Sequence, residues 1–379
     1  MSRAVYLDYN AGAPVRPEVA AAVVEAMAEP GNPSSIHGAG RAARQRMEEA
    51  RAQVAYLIGA TPHRLVFTSG GTEANALVLK GCGRSRVLVS AVEHPSVLDA
   101  LPGTETIPVD GRGIVDLAAL DVLLAADPRP ALVSVMLANN ETGVIQPVAE
   151  IAAIAHSHGA LFHCDAAQAL GRIPVSISAL GADFITVSAH KIGGLPGVGA
   201  LVSALEAFQL APILLGGGQE RRVRAGTENL PGIVGFGVAA TLAGDDLAHL
   251  TTLESLRDRL EVRALAAVPQ AVIIGRGEPR LPNTSCLALA GVAGQTQVMA
   301  LDLAGVAVSA GAACSSGKVG ESRVLAAMGL APHIRGSAIR VSLGWGSRSD
   351  DLDIFLSAWL DLARRKGFAV SEAAAAVAA

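Results

Sequence analysis

Short apolar runs alternate with helical patterns along residues 62–205. The stretches between the runs carry apolar residues at the spacing of one helix face. Alternation of this kind is typical of a mostly parallel central sheet with helices on both faces. The pattern therefore predicts an α/β fold. The runs read "RLVFTS", "RVLVSA", "ALVSVML", "ALFHCD" and "DFITVS", and the helical stretches read "TEANALVLKG", "DLAALDVLLAA" and "VAEIAAIAHSHG".

The pattern changes after about residue 247. The stretch "DLAHLTTLESLRDRLEVRAL" predicts a long helix that leads into a smaller α+β unit. We expect a large domain at residues 13–247 and a small C-terminal domain made of residues 1–12 and 248–379. The small unit should contain strands at "TSCLALA" and "IRVSLG", and helices at "QVMALDLAG", "ESRVLAAMG" and "SDDLDIFLSAWLDLARRKG".

Polar residues follow each of the five predicted strands. In an open α/β sheet, ligands bind beyond the carboxyl ends of the strands, so these residues should meet at one edge. Their convergence is the main functional signal in the residue pattern itself. The residues are Thr72, His94, Asn140, Asp165, Gln168 and Lys191.

The stretch "TSGGTEAN" is a candidate phosphate site. Two glycines, the second of them Gly71, open a predicted helix and would let backbone N–H groups approach an anion, with Thr72 adding a hydroxyl. A strand–Gly–Gly–helix corner can also be a simple turn, and the corner alone does not decide between the two.

Three further residues each permit a structural and a chemical interpretation. Lys191 is either an exposed loop lysine or a shielded amine able to form a Schiff base. Asp165 is either the N-cap of a helix at "DAAQALG" or the partner of a pyridinium nitrogen. His94 is either a helix cap or a catalytic imidazole. Together with a phosphate corner, they are the groups that pyridoxal phosphate requires.

The composition of the chain limits the kinds of binding partner that we expect. Hydrophobic residues make up 51% of the chain, enough for a large core, and a net charge of −4 gives no reason to expect nucleic acid or an anionic membrane. The N-terminus lacks the apolar core of a secretory signal, and polar residues interrupt the longest uncharged run, 281–301. We expect a cytoplasmic protein with reduced thiols.

The cysteines differ in their surroundings. Cys82, Cys164 and Cys286 fit as small core residues. Cys314 has only small residues for three positions on either side, in "AGAACSSGKVG", so bulk does not explain it. Histidines in "HSHGALFHCD" could suggest a metal site, but the first two should lie on a helix end and the third on the next strand. We expect no metal site there.

The sequence resembles cysteine desulfurases of the NifS/IscS type, in the class V aminotransferase group of fold-type I pyridoxal phosphate enzymes. The matching stretches occur in the family's order along nearly the whole chain. They read "YLDYNAGAPV", "GNPSSIHGAG", "FTSGGTEAN", "EHPSV", "ANNETG", "HCDAAQALG", "SAHKIGG", "GGGQERRVRAGTENLPGIVG", "RLPNTS", "SAGAACSSG" and "IRVSLG".

The resemblance implies a role for each matching residue. Lys191 would form the Schiff base, Asp165 would pair with the pyridine nitrogen, and His94 would stack on the ring and move a proton. Gln168 would bond the phenolic oxygen, and Arg340 would bind the substrate carboxylate with help from Asn32. The remaining residues are the phosphate ligands Gly71, Thr72, Ser188 and His190, Thr227 from the second subunit of a homodimer, and Asn140 beside cofactor and substrate.

The resemblance also assigns Cys314. It would attack the sulfur of L-cysteine bound to the cofactor, keep it as a persulfide and release alanine. Its separation from Arg340 fits the family branch with a long loop, and hence a scaffold protein as the sulfur acceptor. Iron–sulfur assembly, nitrogenase maturation and tRNA thiolation remain open as destinations, as does contact of Cys314 with a cluster.

Two other function classes are compatible with the sequence. One is a different reaction on the same cofactor, such as selenocysteine cleavage, β-elimination or transamination, which needs no cysteine nucleophile. The other is a scaffold that retains the fold without catalysis, although such a protein has no use for Lys191, Asp165, His94, Cys314 and Arg340 together.

Overall fold

The computed structural model describes residues 4–206, 210–311 and 321–371. The described chain forms a layered α/β structure with a smaller α+β portion. The strands are β1 (Val5–Tyr6), β2 (Leu65–Thr68), β3 (Arg86–Ser90), β4 (Glu105–Ile107), β5 (Ala131–Ser134), β6 (Leu161–Asp165), β7 (Phe184–Ser188), β8 (Gly199–Ser203), β9 (Ala271–Ile274), β10 (Thr284–Leu289), β11 (Val306–Ala307), β12 (Ser309–Ala310) and β13 (Ala338–Ser342).

The helices alternate with these strands in the first half and cover both sheets. They are α1 (Pro17–Ala28), α2 (Gly38–Leu57), α3 (Gly71–Gly81), α4 (Pro95–Leu98), α5 (Leu117–Ala125), α6 (Val148–Ser157), α7 (Leu230–Asp246), α8 (Leu250–Ala267), α9 (Gly294–Leu303), α10 (Arg323–Ala327), α11 (Pro332–Arg335) and α12 (Ser349–Arg365).

The central sheet has seven strands in the order β2-β8-β7-β6-β5-β3-β4. All neighbouring pairs are parallel except those that involve β8, which runs against both β2 and β7. The prediction of a mostly parallel sheet flanked by helices is confirmed. Because the five predicted strands run the same way, their carboxyl ends lie at one edge.

Both faces of the central sheet are buried, which explains why its strands read as continuous apolar runs. Successive residues of β2 show the alternation directly. Leu65 and Phe67 belong to the core beneath α1, α2 and α7, whereas Val66 packs on the opposite face with α3.

The second sheet has four antiparallel strands in the order β12-β13-β10-β9. Its core, shared with α8, α9 and α12, includes the fully buried Trp359. The first described strand pairs in parallel with β11, so the N-terminal residues join this part of the molecule. From there the chain crosses to the edge of the central sheet.

One local expectation was wrong. "DAAQALG" was expected to begin a helix with Asp165 as its N-cap, but residues 167–172 form turns. Asp165 Oδ1 accepts a hydrogen bond from the backbone N–H of Ala167 at 2.9 Å, which gives the chain a local side-chain turn instead of a helical start.

Among the described residues, one helical stretch, Leu230–Ala267, is long and apolar enough to cross a membrane when only its length and composition are considered. Its first part, α7, is the helix that packs on α1 and α2 and buries Phe236 completely. Core helices pass the same compositional test.

Arg51 and Glu220 form a buried ion pair that anchors the glycine-rich stretch before α7 to the central sheet. Arg51 Nη2 lies 2.7 Å from Glu220 Oε1, and both side chains are almost fully buried. Glu220 Oε2 also accepts from the backbone N–H of Phe67 at 2.8 Å. Removing one partner leaves the other charge buried without compensation.

We therefore expect Arg51→Ala to lower the free energy of unfolding by about 3–5 kcal/mol, measured by urea denaturation. Arg46→Ala is the matched control on the same helix, because its partners Glu25 and Glu29 are exposed. The control should cost about 0–1 kcal/mol. Equal losses of unfolding free energy in the two variants would contradict the conclusion that the buried Arg51–Glu220 pair anchors this stretch.

Candidate active site

A cavity of about 300 Å³ lies at the carboxyl edge of the central sheet. The sequence-predicted residues from all five strand ends line it, so the expected convergence is present in the structure. The lining residues are Ala11, Gly71, Thr72, Asn75, His94, Ser96, Met136, Ala138, Asn140, Asp165, Ala167, Gln168, Ser188, His190 and Lys191.

Asp165 presents a buried carboxylate to this cavity from the end of β6. It is 7% exposed, and Asn75 Nδ2 donates to its Oδ2 at 2.8 Å. Within the described ranges, no cationic side chain forms an ion pair with it. A buried carboxylate without a cation fits the protonated ring nitrogen of pyridoxal phosphate, which would supply the missing positive charge.

Asn75 joins Asp165 to His94. The same amide nitrogen of Asn75 donates to Ser96 Oγ at 2.9 Å, and Ser96 Oγ lies 2.8 Å from His94 Nδ1. The backbone N–H of Ser96 also donates to Nδ1, at 3.1 Å. Nδ1 is therefore an acceptor, and the neutral ring carries its proton on Nε2.

Burial lowers the pKa of His94, against the opposing effect of the Asp165 charge and with a further decrease from Lys191. The imidazole is thus held neutral, as a flat and uncharged surface at the cavity wall. His94 is also the N-cap of α4, so the structural interpretation of this residue is correct, and the same geometry leaves its ring on the cavity wall.

Lys191 reaches the cavity from the turn after β7 and is half-buried. Its Nζ donates to the carbonyl oxygens of Asn10 at 2.6 Å and Ala11 at 3.0 Å. The lysine also borders a second cavity of about 390 Å³ that contains Arg16, His249 and Trp345. Asp165 and His94 line the first cavity with Lys191, whereas the carboxylate and imidazole of the second cavity are Asp246, which pairs with Arg16, and His249.

Gln168 and Arg172 form the floor beneath Lys191. Gln168 Nε2 donates to the carbonyl of Asn10 at 3.0 Å, and its Oε1 accepts from Arg172. Arg172 also donates to Asn10 Oδ1 at 2.8 Å. Burial, reinforced by the charge of Arg340, lowers the pKa of Arg172 to about 9. The floor is thus a closed hydrogen-bond network.

The opposite end of the cavity suits a phosphate. The N-terminus of α3 brings Gly71 and Thr72 to this end, with the positive end of the helix dipole. Ser188 Oγ and His190 Nδ1 are 2.9 Å apart on the facing turn. Burial, with the charges of Lys191 and Arg172, lowers the pKa of His190 to about 4, so the ring is neutral at pH 7.

Arg340 lies beside the cavity on β13 and is 1% exposed. Its Nη1 donates to the carbonyl of Asn140 at 2.9 Å, and its Nη2 donates to Asp8 Oδ1 at 2.8 Å. Its Nε is buried without a hydrogen-bond partner among the described residues. A guanidinium with spare donors is suited to a planar carboxylate ligand.

Two predicted site residues, Asn32 and Thr227, lie elsewhere, and a third is not among the described residues. Asn32 is exposed and its Oδ1 accepts from the backbone N–H of Ser34 at 2.8 Å. Thr227 is exposed and borders a separate small cavity of about 60 Å³ with Phe67 and Arg224. Cys314 falls outside the described residues.

The histidines of "HSHGALFHCD" do not meet. His156 and His158 bond Asp183 and Asp121 respectively on the surface, while His163 is fully buried between Ser134 and Thr186. Within the part of the chain that the structure describes, no group of three or more His, Cys, Asp or Glu side chains has metal-site geometry.

Sequence reasoning missed the residues that connect the predicted ones, chiefly Asn75, Ser96, Asn10 and Asp8. Asn75 could have been predicted from the sequence, because it follows Thr72 by three positions and so lies on the same face of the helix. Asn10 and Asp8 offered no local signal, because their partners are more than a hundred residues away in the chain.

The fold and the cavity together define the class of protein. The family model described as "Aminotransferase class-V" matches residues 5–355. The "NifS-like protein from Rickettsia africae ESF-5" has a similar structure, with a TM-score of 0.88, 37% sequence identity and coverage of 96% of this chain and 100% of that one. The chain is a fold-type I enzyme of the class V aminotransferase family, which depends on pyridoxal phosphate.

Curated relatives narrow the family further. The chain is 44% identical to the cysteine desulfurase of Cereibacter sphaeroides over 93% of its own length and 94% of that protein. It is 42% identical to the cysteine desulfurase of Klebsiella pneumoniae, over 92% and 90%. The chain belongs to the cysteine desulfurases, and its activity is a sulfur transfer.

Asn75 gives a direct test of the cofactor fit. Asn75→Ala removes the donor to Asp165 and should weaken binding of pyridoxal phosphate about tenfold, since a hydrogen bond to a charged group contributes about 1.5–3 kcal/mol. Asn75→Asp should weaken it more, because a second carboxylate would stand against Asp165. The measurement is absorbance titration of the cofactor-free protein.

Asp116→Ala controls for general destabilisation, since it removes the exposed N-cap of α5 and touches no cavity residue. It should leave cofactor affinity unchanged. Wild-type affinity in Asn75→Asp would show that Asp165 does not pair with the cofactor.

Proposed function

We propose that this protein removes sulfur from L-cysteine, holds it as a persulfide on Cys314 and passes it to an acceptor protein. The observation that supports this most is the meeting of Lys191, Asp165 and His94 in one cavity at the sheet edge. Cys314 enters through the match of "SAGAACSSG" to the family pattern. The curated relatives favour this reaction over selenocysteine cleavage or transamination on the same cofactor.

The cavity residues divide between holding the cofactor and moving protons. Lys191 would be its covalent anchor, Asp165 would pair with its ring nitrogen, and Gln168 would bond its phenolic oxygen. Gly71, Thr72, Ser188 and His190 would hold its phosphate. When bound, pyridoxal phosphate supplies an electron sink next to the α-carbon of an amino acid.

Arg340 would bind the carboxylate of cysteine through the donors that Asp8 and Asn140 leave open. Asn140 also lines the cavity, so it lies between the cofactor site and the substrate site. Asn32 would assist only after rearrangement, because its side chain now bonds its own turn.

The overall transfer is balanced without an oxidant. The Cβ–S bond of cysteine breaks, a bond forms between that sulfur and Sγ of Cys314, and the substrate carbon takes up the proton released from the Cys314 thiol. The products are alanine and an enzyme persulfide. The hydrogen bonds at Nδ1 of His94 place the single proton of the neutral ring on Nε2, so Nε2 would point a hydrogen-bond donor into the cavity.

The finer context extends this proposal. We propose that the sulfur acceptor is an iron–sulfur scaffold protein and that the transfer takes place in the cytoplasm. We also propose that the enzyme is a homodimer in which Thr227 completes the phosphate site of the other subunit. Thr227 does not line the cofactor cavity of its own chain, which supports a role across an interface. We also propose residues 13–247 as the cofactor-binding domain, with residues 1–12 and 248–379 as the small domain.

Cys314→Ala should retain the absorbance of bound pyridoxal phosphate and lose sulfide release from cysteine. Mass spectrometry of wild-type protein incubated with cysteine should find one added sulfur, on the peptide with Cys314. Cys82→Ala is the matched control, because Cys82 is half-buried and borders no catalytic cavity. Undiminished turnover in Cys314→Ala would exclude the persulfide.

Mixed dimers test the shared Thr227. Lys191→Ala and Thr227→Glu should each be inactive alone, the second because a carboxylate would repel the phosphate. A hybrid dimer contains one Lys191→Ala subunit and one Thr227→Glu subunit. It has one native site only if Thr227 belongs to the active site of the partner subunit. Refolding the variants together should therefore restore about a quarter of wild-type activity. No recovery would place Thr227 at its own subunit's site.

A further inference from the structure

The corner after β5 holds a buried carboxylate, Glu141, that no cofactor role explains. Glu141 is 7% exposed. Asn139 fixes the backbone of this corner, since its Oδ1 accepts from the N–H groups of Glu141 and Thr142, both at 2.9 Å. The direction of the Glu141 side chain is therefore set by the central sheet.

Glu141 touches the chain on both sides of the stretch that contains Cys314. Ser322 Oγ donates to Glu141 Oε2 at 2.5 Å. On the other side, a β-carbon added at Gly311 would lie 3.0 Å from the same oxygen. Gly311 and Ser322 flank residues 312–321, so one carboxylate oxygen bonds the second flank and leaves room for no more than a glycine at the first.

The same flanks are connected to Arg340. The carbonyl of Asn140, the neighbour of Glu141, accepts from Arg340 at 2.9 Å. Ser309 pairs with Arg340 between β12 and β13, and Ser309 Oγ donates to Asp8 Oδ2 at 2.7 Å. Asp8 is also the ion-pair partner of Arg340. The substrate arginine and both flanks thus belong to one buried network.

We propose that Glu141 is a positioning residue that holds the two flanks of the Cys314 stretch at a fixed place relative to Arg340. It acts through Ser322 and the close approach of Gly311, and it does not line the cofactor cavity. The inference rests on the proposed function, in which Cys314 must meet a substrate whose carboxylate is bound by Arg340.

A carboxylate is costly to bury at this position, so a residue that only filled space here would be apolar. Burial raises the pKa of Glu141 to about 7, although the hydrogen bond from Ser322 and the charge of Arg340 oppose the shift. Arg340 on β13 and Cys286 on β10 are the titratable groups that interact with it. An apolar residue would avoid this desolvation cost but would leave Ser322 without its acceptor.

Glu141→Ala should slow sulfur transfer to Cys314 in a single turnover about tenfold or more, while the dissociation constant of cysteine changes less than about threefold. Quenched mass spectrometry follows the persulfide, and cofactor absorbance follows cysteine binding. Alkylation of Cys314 by iodoacetamide should remain at least as fast as in wild type. Glu141→Gln should recover most of the transfer rate, because its amide oxygen still accepts from Ser322.

Ser322→Ala tests the same contact from the other side and keeps Glu141 intact. It should slow transfer in the same direction, and the double variant with Glu141→Ala should be no slower than Glu141→Ala alone, since both remove the hydrogen bond between Ser322 and Glu141. The cap of α10 that Ser322 also provides is lost as well, and this loss should appear in the melting temperature. Glu105→Ala is the control, because it removes a carboxylate paired with buried Arg86 at the far edge of the sheet. It should lower the melting temperature and leave transfer within about twofold.

Three results would overturn the inference: wild-type transfer in Glu141→Ala, an equal loss of cysteine binding and transfer, or additive effects of the two substitutions. A wild-type protein that forms no persulfide on Cys314 would refute the proposed function instead. If Glu141→Ala does not fold, Ser322→Ala still tests the inference. An unchanged transfer rate in Ser322→Ala would contradict it.

Discussion

The backbone carbonyl of Asn10 holds the active site together. It accepts from Lys191 Nζ at 2.6 Å and from Gln168 Nε2 at 3.0 Å, and the side chain of the same residue bonds Arg172, Asn283 and Thr284. Buried polar groups require such partners, and here one residue supplies them for both sheets. The N-terminal crossing therefore fixes the amine of Lys191 at the cavity through its backbone carbonyls.

Charge balance explains why Asp8 is paired with Arg340. A guanidinium that is 1% exposed needs a counter-charge when no substrate is bound, and Asp8 supplies it at 2.8 Å. A cysteine carboxylate would add a second negative group beside Asp8, so the free Nε donor and the remaining amino hydrogens must serve it. In the proposed function, recognition would therefore depend on donors that the pair with Asp8 leaves unused, and a ligand can reach them only if the buried side chain is uncovered.

The sequence predicts what depends on local pattern and misses what depends on distant partners. Strand ends at Asp165, Ser188 and Ser90 follow from apolar runs and place their neighbours at one edge. The reversed direction of β8 and the turn after Asp165 could not be predicted, because cross-strand pairing and a side-chain bond to Ala167 decide them. Resemblance names the residues, but only the packed chain shows that Asn75 joins two of them.

The tautomer of His94 constrains the proposal that this residue activates the thiol of Cys314. A thiol with a pKa near 8.5 is only a few per cent ionised at pH 7 and needs a proton acceptor. His94 can accept at Nε2 only if Nδ1 becomes protonated, and the Ser96 N–H at 3.1 Å opposes that state. The ring must therefore turn away from Ser96, so that Nδ1 can carry the ring proton, before Nε2 can take a proton from a thiol.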